Sequence, residues 1–133
     1  MDFFVHDPFN GQVVQAYDAS PVSRLEDQIH ASWQAHLRWR DRSLQERVKF
    51  LEGVRTLMLQ RLEDLASTIT TEMGKRLGEA QAEVEKCCTL ITHYGENCQK
   101  YLAPRSIKAD GKKHELCFEP LGPILSIMPW NFP

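Results

Sequence analysis

The spacing of apolar residues changes along the chain and divides it into six predicted elements. Residues 3–9 and 12–17 flank Asn10-Gly11, a dipeptide suited to a type I′ turn, so a β-hairpin is predicted first. Apolar residues then recur every three or four positions and predict three helices, over about 22–37, 44–69 and 78–101. A second hairpin is predicted around Asp110-Gly111. The apolar run 123–128 predicts a strand covered on both faces.

Two signals mark the beginning of the first helix. Ser20 is a candidate N-cap, with Pro21 at the first helical position. One turn later, Ser23 and Glu26 have the spacing of a capping box. The sequence therefore predicts a capped helix that begins within residues 20–23.

The other helices have clearer boundaries. Ser43 and Glu46 predict a capping box, in which each side chain satisfies a free backbone N–H group. Gly74 is placed to end the second helix in the left-handed conformation, since glycine has no Cβ to clash there. Pro104 stops the third helix because proline has no N–H donor and its ring obstructs the preceding turn.

The order of elements predicts the fold class. A hairpin, three helices, a hairpin and one buried strand resemble the front part of an α/β domain. A strand covered on both faces needs neighbouring strands, and the sequence contains no βαβ unit that would supply them. We therefore predict a single partial domain over residues 1–133 with an incomplete sheet.

Composition and charge exclude several classes of function. The chain is 42% hydrophobic and 26% charged, as in ordinary globular proteins. Its net charge of -2 gives no reason to expect nucleic acid or an anionic membrane as a partner. No apolar run approaches the about 20 residues that span a bilayer, and residues 1–4 do not open a signal peptide. We expect a cytoplasmic protein with reduced cysteines.

The cysteines and histidines are interpreted as structural. Cys87 and Cys98 share one helical stripe, whereas His93 lies five positions from Cys98 and faces away from it. A metal site on a helix would need convergent ligands three or four positions apart, so no metal is predicted. Cys117 is close to no thiolate-stabilising group except His114, across the second hairpin.

The charged residues of the helices are interpreted as solvent-facing. Lys75 follows Gly74 without the preceding glycine of a phosphate-binding loop, so it is interpreted as a loop cation after a helix end. The carboxylates opposite the apolar stripes have the pattern of a solvated face. They are Glu63, Asp64, Glu79, Glu83 and Glu85.

The last residues carry the most specific chemistry. The predicted buried strand leads into Pro129-Trp130-Asn131-Phe132-Pro133. Ligands of open α/β sheets bind beyond the carboxyl ends of strands, and an amide fixed between prolines and aromatic rings is a preorganised donor for an oxyanion. Asparagine also simply shapes turns, and from these residues alone that role is the more frequent one. Both interpretations remain open at this point.

Several segments resemble the aldehyde dehydrogenase superfamily. Residues 119–133, including the Pro-Trp-Asn-Phe-Pro cluster, are similar to the family's cofactor-and-oxyanion turn. Residues 7–14 look like its N-terminal hairpin. Residues 71–75, followed by 79–84, resemble the succinate-semialdehyde dehydrogenase branch, although Arg76 stands where a proline commonly follows Gly-Lys.

The resemblance implies a fold, a reaction and roles for single residues. The fold would be the N-terminal part of the family's cofactor-binding domain. The reaction would be the NAD- or NADP-dependent oxidation of a small aldehyde, such as succinate semialdehyde, to the carboxylate. Asn131 would help to hold the substrate oxygen as it becomes an oxyanion, and Ile127, Met128 and Trp130 would contact the cofactor. A hairpin at about 106–120 would join subunits of a homo-oligomer.

The resemblance also implies that these residues do not catalyse the reaction alone. The family's catalytic cysteine, general-base glutamate and cofactor-clamping lysine follow this turn, and none of the four cysteines stands in its nucleophile motif. We therefore expect an N-terminal fragment that is inactive by itself and self-associates through exposed strand edges and apolar patches. The alternative is an interaction module that associates with intact dehydrogenase subunits through the 106–120 hairpin.

Overall fold

The computed structural model describes residues 2–19 and 21–133. Within these residues, two antiparallel hairpins bracket four α-helices, which confirms the mixed α/β class. The elements in chain order are β1 (Asp2–His6), β2 (Val13–Asp18), a 3₁₀ turn (Val22–Arg24), α1 (Leu25–Arg40), α2 (Leu44–Gln60), α3 (Leu62–Met73), α4 (Leu77–Tyr101), β3 (Arg105–Ala109) and β4 (Lys112–Leu116).

The first hairpin forms as predicted, but its turn is wider than a two-residue type I′ turn. Gly11 has φ +73°, whereas Asn10 is not among the described residues with positive φ. The Asp7 carboxylate accepts hydrogen bonds from the Phe9 N–H at 2.8 Å and from the Asn10 side chain at 3.1 Å. This Asx-type turn folds residues 7–12 into a longer loop, so the predicted turn type is wrong.

The second hairpin has the predicted turn. Ala109 pairs with Lys112, which leaves two residues at the corner. These are Asp110 with φ +53° and Gly111 with φ +70°, as a type I′ turn requires. Every residue of β3 and β4 is exposed to solvent. The hairpin therefore projects from the helices without burying either face in the described structure.

The predicted capping box of the first helix, Ser23 with Glu26, is wrong. Residues 22–24 form the 3₁₀ turn, and the Arg24 N–H donates to the Pro21 carbonyl at 2.9 Å. Because Ser23 is already inside this turn, its backbone cannot take the extended conformation of an N-cap residue, which a capping box with Glu26 needs. No side-chain hydrogen bond caps α1. Ser20, the other predicted cap, lies outside the described residues.

The predicted second helix is two helices. Its capping box is confirmed, because the Glu46 N–H donates to Ser43 Oγ at 3.2 Å and the Ser43 N–H donates to Glu46 Oε2 at 2.9 Å. Arg61 leaves the helical conformation at φ -108° and ψ 21° and separates α2 from α3. Neither proline nor glycine marks this break, so the periodicity did not reveal it. The left-handed cap at Gly74 is confirmed, with φ +75°.

The core lies where α4 packs on α2 and α3. Ala66 and Ala80 are fully buried, and Val84 and Cys88 are exposed by no more than 5%. The α4 members recur every four residues, so they face one side of the helix. The sequence placed Cys87 on this stripe, but the structure buries Cys88 there and leaves Cys87 only half-buried. Because these four side chains are small, the core is closely packed but small.

The apolar run 123–128 forms no strand. It pairs with neither hairpin, and Ile124 and Leu125 are 82% and 87% exposed. The predicted buried strand is therefore wrong for this structure. The described strands form two separate two-stranded hairpins, and neither provides the parallel sheet that a strand covered on both faces needs.

Candidate functional site

The C-terminal turn is closed by its own backbone. The Phe132 N–H donates to the Pro129 carbonyl at 3.1 Å, which places Trp130 and Asn131 at the corner. Proline fixes the backbone at the start of such a turn, and asparagine tolerates its second corner position. Both corner side chains are exposed. The turn is thus closed by a local hydrogen bond, and no described hydrogen bond involves either corner side chain.

Lys75 connects this turn to the helices. Its ammonium group donates to the Asn131 backbone carbonyl at 3.2 Å and lies 4.6 Å from the centre of the Phe132 ring. The same ammonium group pairs with the Glu83 carboxylate. The two charged side chains are only 12% and 15% exposed. Lys75 does lie in the loop after the helix end, as predicted, but it is shielded from solvent. The interpretation of Glu83 as part of a solvated face is wrong.

The position of Lys75 follows from the end of α3. Gly74 reverses the chain through its left-handed conformation, so Lys75 lies in the short link between α3 and α4. Glu83 is next to the buried Val84 on α4, which fixes the carboxylate near the core. A Cβ at Gly74 would lie 2.9 Å from Pro8 Cγ, so the N-terminal hairpin loop packs on the same corner.

The other predicted site residues are exposed. Ile127, Met128 and Trp130 present their side chains to solvent. Among the described residues, no hydrogen bond joins a cysteine to Asn131; Cys88, for example, donates to the Arg55 carbonyl at 3.9 Å inside the helical core. The structure thus brings the backbone of Asn131 to Lys75, and none of the cysteine hydrogen bonds that it describes involves Asn131.

The exposed segment fits a nicotinamide cofactor as one wall of a site. Met128 and Trp130 offer apolar surface on which a planar ring could lie, and the Asn131 amide can donate a hydrogen bond. Met128 is adaptable enough to follow the shape of a ligand. Ile127, Met128 and Trp130 lie on one exposed segment, so they offer a single surface to such a ring. These 133 residues fit only part of the cofactor.

A groove of about 480 Å³ separates α1 from residues 121–125. Gly122, at φ +138°, would carry a Cβ only 3.2 Å from the Trp33 ring, so this part of the C-terminal segment approaches α1 closely. In the described part of the chain, no three His, Cys, Asp or Glu side chains converge to hold a metal ion. The helices found there are too short or too polar to cross a bilayer.

Comparison with known proteins supplies the context of the turn. The aldehyde dehydrogenase family model matches residues 1–133. Succinate-semialdehyde dehydrogenase (NADP+) of Deinococcus radiodurans is 34% identical over 131 residues, which cover 98% of this chain and 28% of that protein. The enzyme of the same name from Saccharomyces cerevisiae is 34% identical over 137 residues, 98% of this chain and 27% of that protein. The chain thus spans just over a quarter of the length of these curated relatives.

A solved structure agrees in fold. Betaine aldehyde dehydrogenase of Staphylococcus aureus, in complex with NAD+, superposes with a TM-score of 0.89 at 21% identity, over 99% of this chain and 27% of that one. The predicted fold, the N-terminal part of the family's cofactor-binding domain, is confirmed by this likeness. From the match over its whole length, the chain belongs to the aldehyde dehydrogenase family.

Proposed function

We propose that these residues form the N-terminal portion of an NAD(P)-dependent semialdehyde dehydrogenase. The whole enzyme would oxidise succinate semialdehyde, or a similar small aldehyde, to the carboxylate. The names of the Deinococcus and yeast relatives support this substrate class. The observation that carries the proposal is the terminal turn, in which the Asn131 backbone is tied to Lys75 while its amide stays free for a ligand.

Asn131 has the proposed role of oxyanion donor. Its side-chain N–H would donate to the aldehyde oxygen as negative charge develops there. A donor fixed before the reaction stabilises this charge without reorganisation at the moment of reaction. Ile127, Met128 and Trp130 are proposed to contact the cofactor, and their exposure leaves their surfaces accessible to it. The bound nicotinamide would supply hydride acceptance.

The 133 residues are proposed to be inactive alone. An oxyanion donor lowers a barrier only when a nucleophile and substrate create the charge that it stabilises. The purified chain, mixed with NAD or NADP and succinate semialdehyde, should produce no reduced-nicotinamide absorbance above a protein-free control. Measurable turnover would contradict the proposed inactivity.

A chimera tests the proposed activity directly. Residues 1–133 would replace the matching part of the Deinococcus enzyme, of which the alignment covers 28%. We expect this chimera to reduce NADP with succinate semialdehyde, and Asn131→Ala to lower its kcat by about 10²–10³. Asn97→Ala is the control, because the described hydrogen bond of the Asn97 amide is a local one, to the His93 carbonyl within α4. A folded chimera in which both variants have equal kcat would contradict the role of Asn131.

The hairpin at about 106–120 is proposed to join subunits of a homo-oligomer. Ile107 and Leu116 are about half exposed on strands that have no partner outside their own hairpin in the described structure. Exposed strands of this kind can pair with another chain.

All four cysteines are free thiols, which supports the proposed cytoplasmic location.

The same exposed hairpin supports a second candidate, an interaction module. In that case the chain would associate with intact dehydrogenase subunits through β3 and β4. Co-purification of the tagged chain with a full-length relative would support the module, and Ile107→Glu should weaken it more than Lys108→Glu on the opposite face. Equal recovery of both variants would contradict a hairpin interface.

A further inference from the structure

We propose that Lys75 is a positioning residue, which fixes the Asn131 turn against the helical core through Glu83. The inference rests on the proposed function of Asn131. Lys75 would touch neither substrate nor cofactor. It would act by holding the peptide group from which the Asn131 side chain projects.

The geometry gives the Lys75 ammonium group three partners from two distant parts of the chain. Glu83 on α4 supplies a carboxylate, the Asn131 backbone supplies a carbonyl at 3.2 Å, and Phe132 supplies a ring face at 4.6 Å. An ammonium group has three donors in divergent directions, so it can engage all three at once. A cation over an aromatic face is attracted by the negative charge density of the ring. Lys75 therefore contacts two consecutive residues of the turn, Asn131 and Phe132.

Low exposure makes this arrangement stronger than a surface contact. The Lys75 and Glu83 side chains are 12% and 15% exposed, so water and salt screen their attraction only partly. Hydrogen bonds to charged groups are also stronger than neutral ones. Glu83 in turn restricts where the ammonium group can lie. The carbonyl of Asn131 thus meets a donor that is already in place.

Few other described contacts hold the 129–133 turn in place. Within the described residues, the hydrogen bonds of the segment 129–133 are the Phe132–Pro129 bond inside the turn and the bond from Lys75. Trp130 is 79% exposed, so its side chain contributes little burial that would hold the turn. Lys75 and Asn131 are 56 positions apart in sequence. The bond from Lys75 consequently joins the turn to the link between α3 and α4, and no other described hydrogen bond does so.

The first experiment measures the tether itself. In the 133-residue chain labelled with 15N-phenylalanine, the rate of water exchange at the Phe132 N–H reports how well the turn is held. We expect Lys75→Met to raise this rate about tenfold to a hundredfold, as for loss of a charged hydrogen bond. Lys75→Arg should restore part of the protection, since it keeps the charge but changes the donor geometry. Lys86→Met, on the exposed surface of α4, should change nothing. An unchanged rate in Lys75→Met, with helix content retained, would overturn the tether.

The second experiment separates positioning from general structure. In the chimera described above, Lys75→Met should lower kcat about tenfold with KM for the aldehyde nearly unchanged, and Lys75→Arg should recover part of the loss. Added to Asn131→Ala, Lys75→Met should cause little further loss, because it acts through the same side chain. Full additivity of the two losses would overturn the positioning role. Failure of the proposed function itself would appear separately, as an Asn131→Ala variant with normal kcat.

Discussion

Replacing Gly74 by alanine should destabilise the chain. Gly74 has φ +75°, which costs a residue with a Cβ about 1–2 kcal/mol. The new Cβ would also lie 2.9 Å from Pro8 Cγ, so the hairpin loop must shift. We expect a loss of about 2 kcal/mol or slightly more in the free energy of unfolding. With a urea dependence of about 1–3 kcal/mol per molar, the unfolding midpoint should fall by roughly 1 M.

The same substitution at Gly53 is the matched control. Gly53 lies inside α2, and a Cβ there would meet nothing within 4 Å. Alanine should stabilise this helix by about 0.5–1 kcal/mol, so the two variants should move the midpoint in opposite directions. Helical circular dichroism in urea, at one protein concentration because association changes apparent stability, measures both. A midpoint that moves equally in both variants would refute the left-handed cap as the cause.

Three further predictions concern the cap and the exposed segment. Ser43→Ala should destabilise the chain by about 1 kcal/mol in the same urea assay, since the α2 capping box is lost; an unchanged midpoint would count against it. The pKa of Glu46 is lowered from 4.5, first by the Ser43 hydroxyl, so its stabilising effect is present above 4.5 and is lost as pH falls through the lowered folded pKa. Glu46→Gln should accordingly weaken the pH dependence of the urea midpoint in that acidic range, and an identical profile would contradict this. Light scattering should show self-association because Ile124, Leu125 and Ile127 are exposed; a sharp monomer peak would argue against it.

Three of the signals that act over a few residues were predictive, whereas the Ser23–Glu26 capping box and the type I′ turn at Asn10-Gly11 did not form. The capping box at Ser43 and Glu46, the left-handed Gly74 and the type I′ turn at Asp110-Gly111 are each determined by side chains within four positions. The periodicity also located the helices. It did not locate the break at Arg61, because neither apolar spacing nor a helix-breaking residue marks it.

Features that depend on tertiary neighbours were not predictable in the same way. Nothing local shows that Lys75 and Glu83 are shielded, since Asn131, a partner of Lys75, is 56 positions away from it in sequence. Likewise, residues 123–128 have the composition of a buried strand, but a strand forms only where another strand offers its edge. The identity of Asn131 as a candidate oxyanion donor came from family resemblance, because a turn asparagine and an oxyanion donor look alike in composition.

The tether between Lys75 and Asn131 also determines the order in which the candidate site can assemble. The helices α3 and α4 are joined by a three-residue link, so their contacts close only short loops. The turn must instead close a loop of 56 residues, at a greater entropic cost and with a smaller enthalpic return. Folding should therefore form the α3–α4 pair early and seat the 129–133 turn last. A substitution that slows helix pairing should then delay assembly of the candidate site without changing any of its contacts.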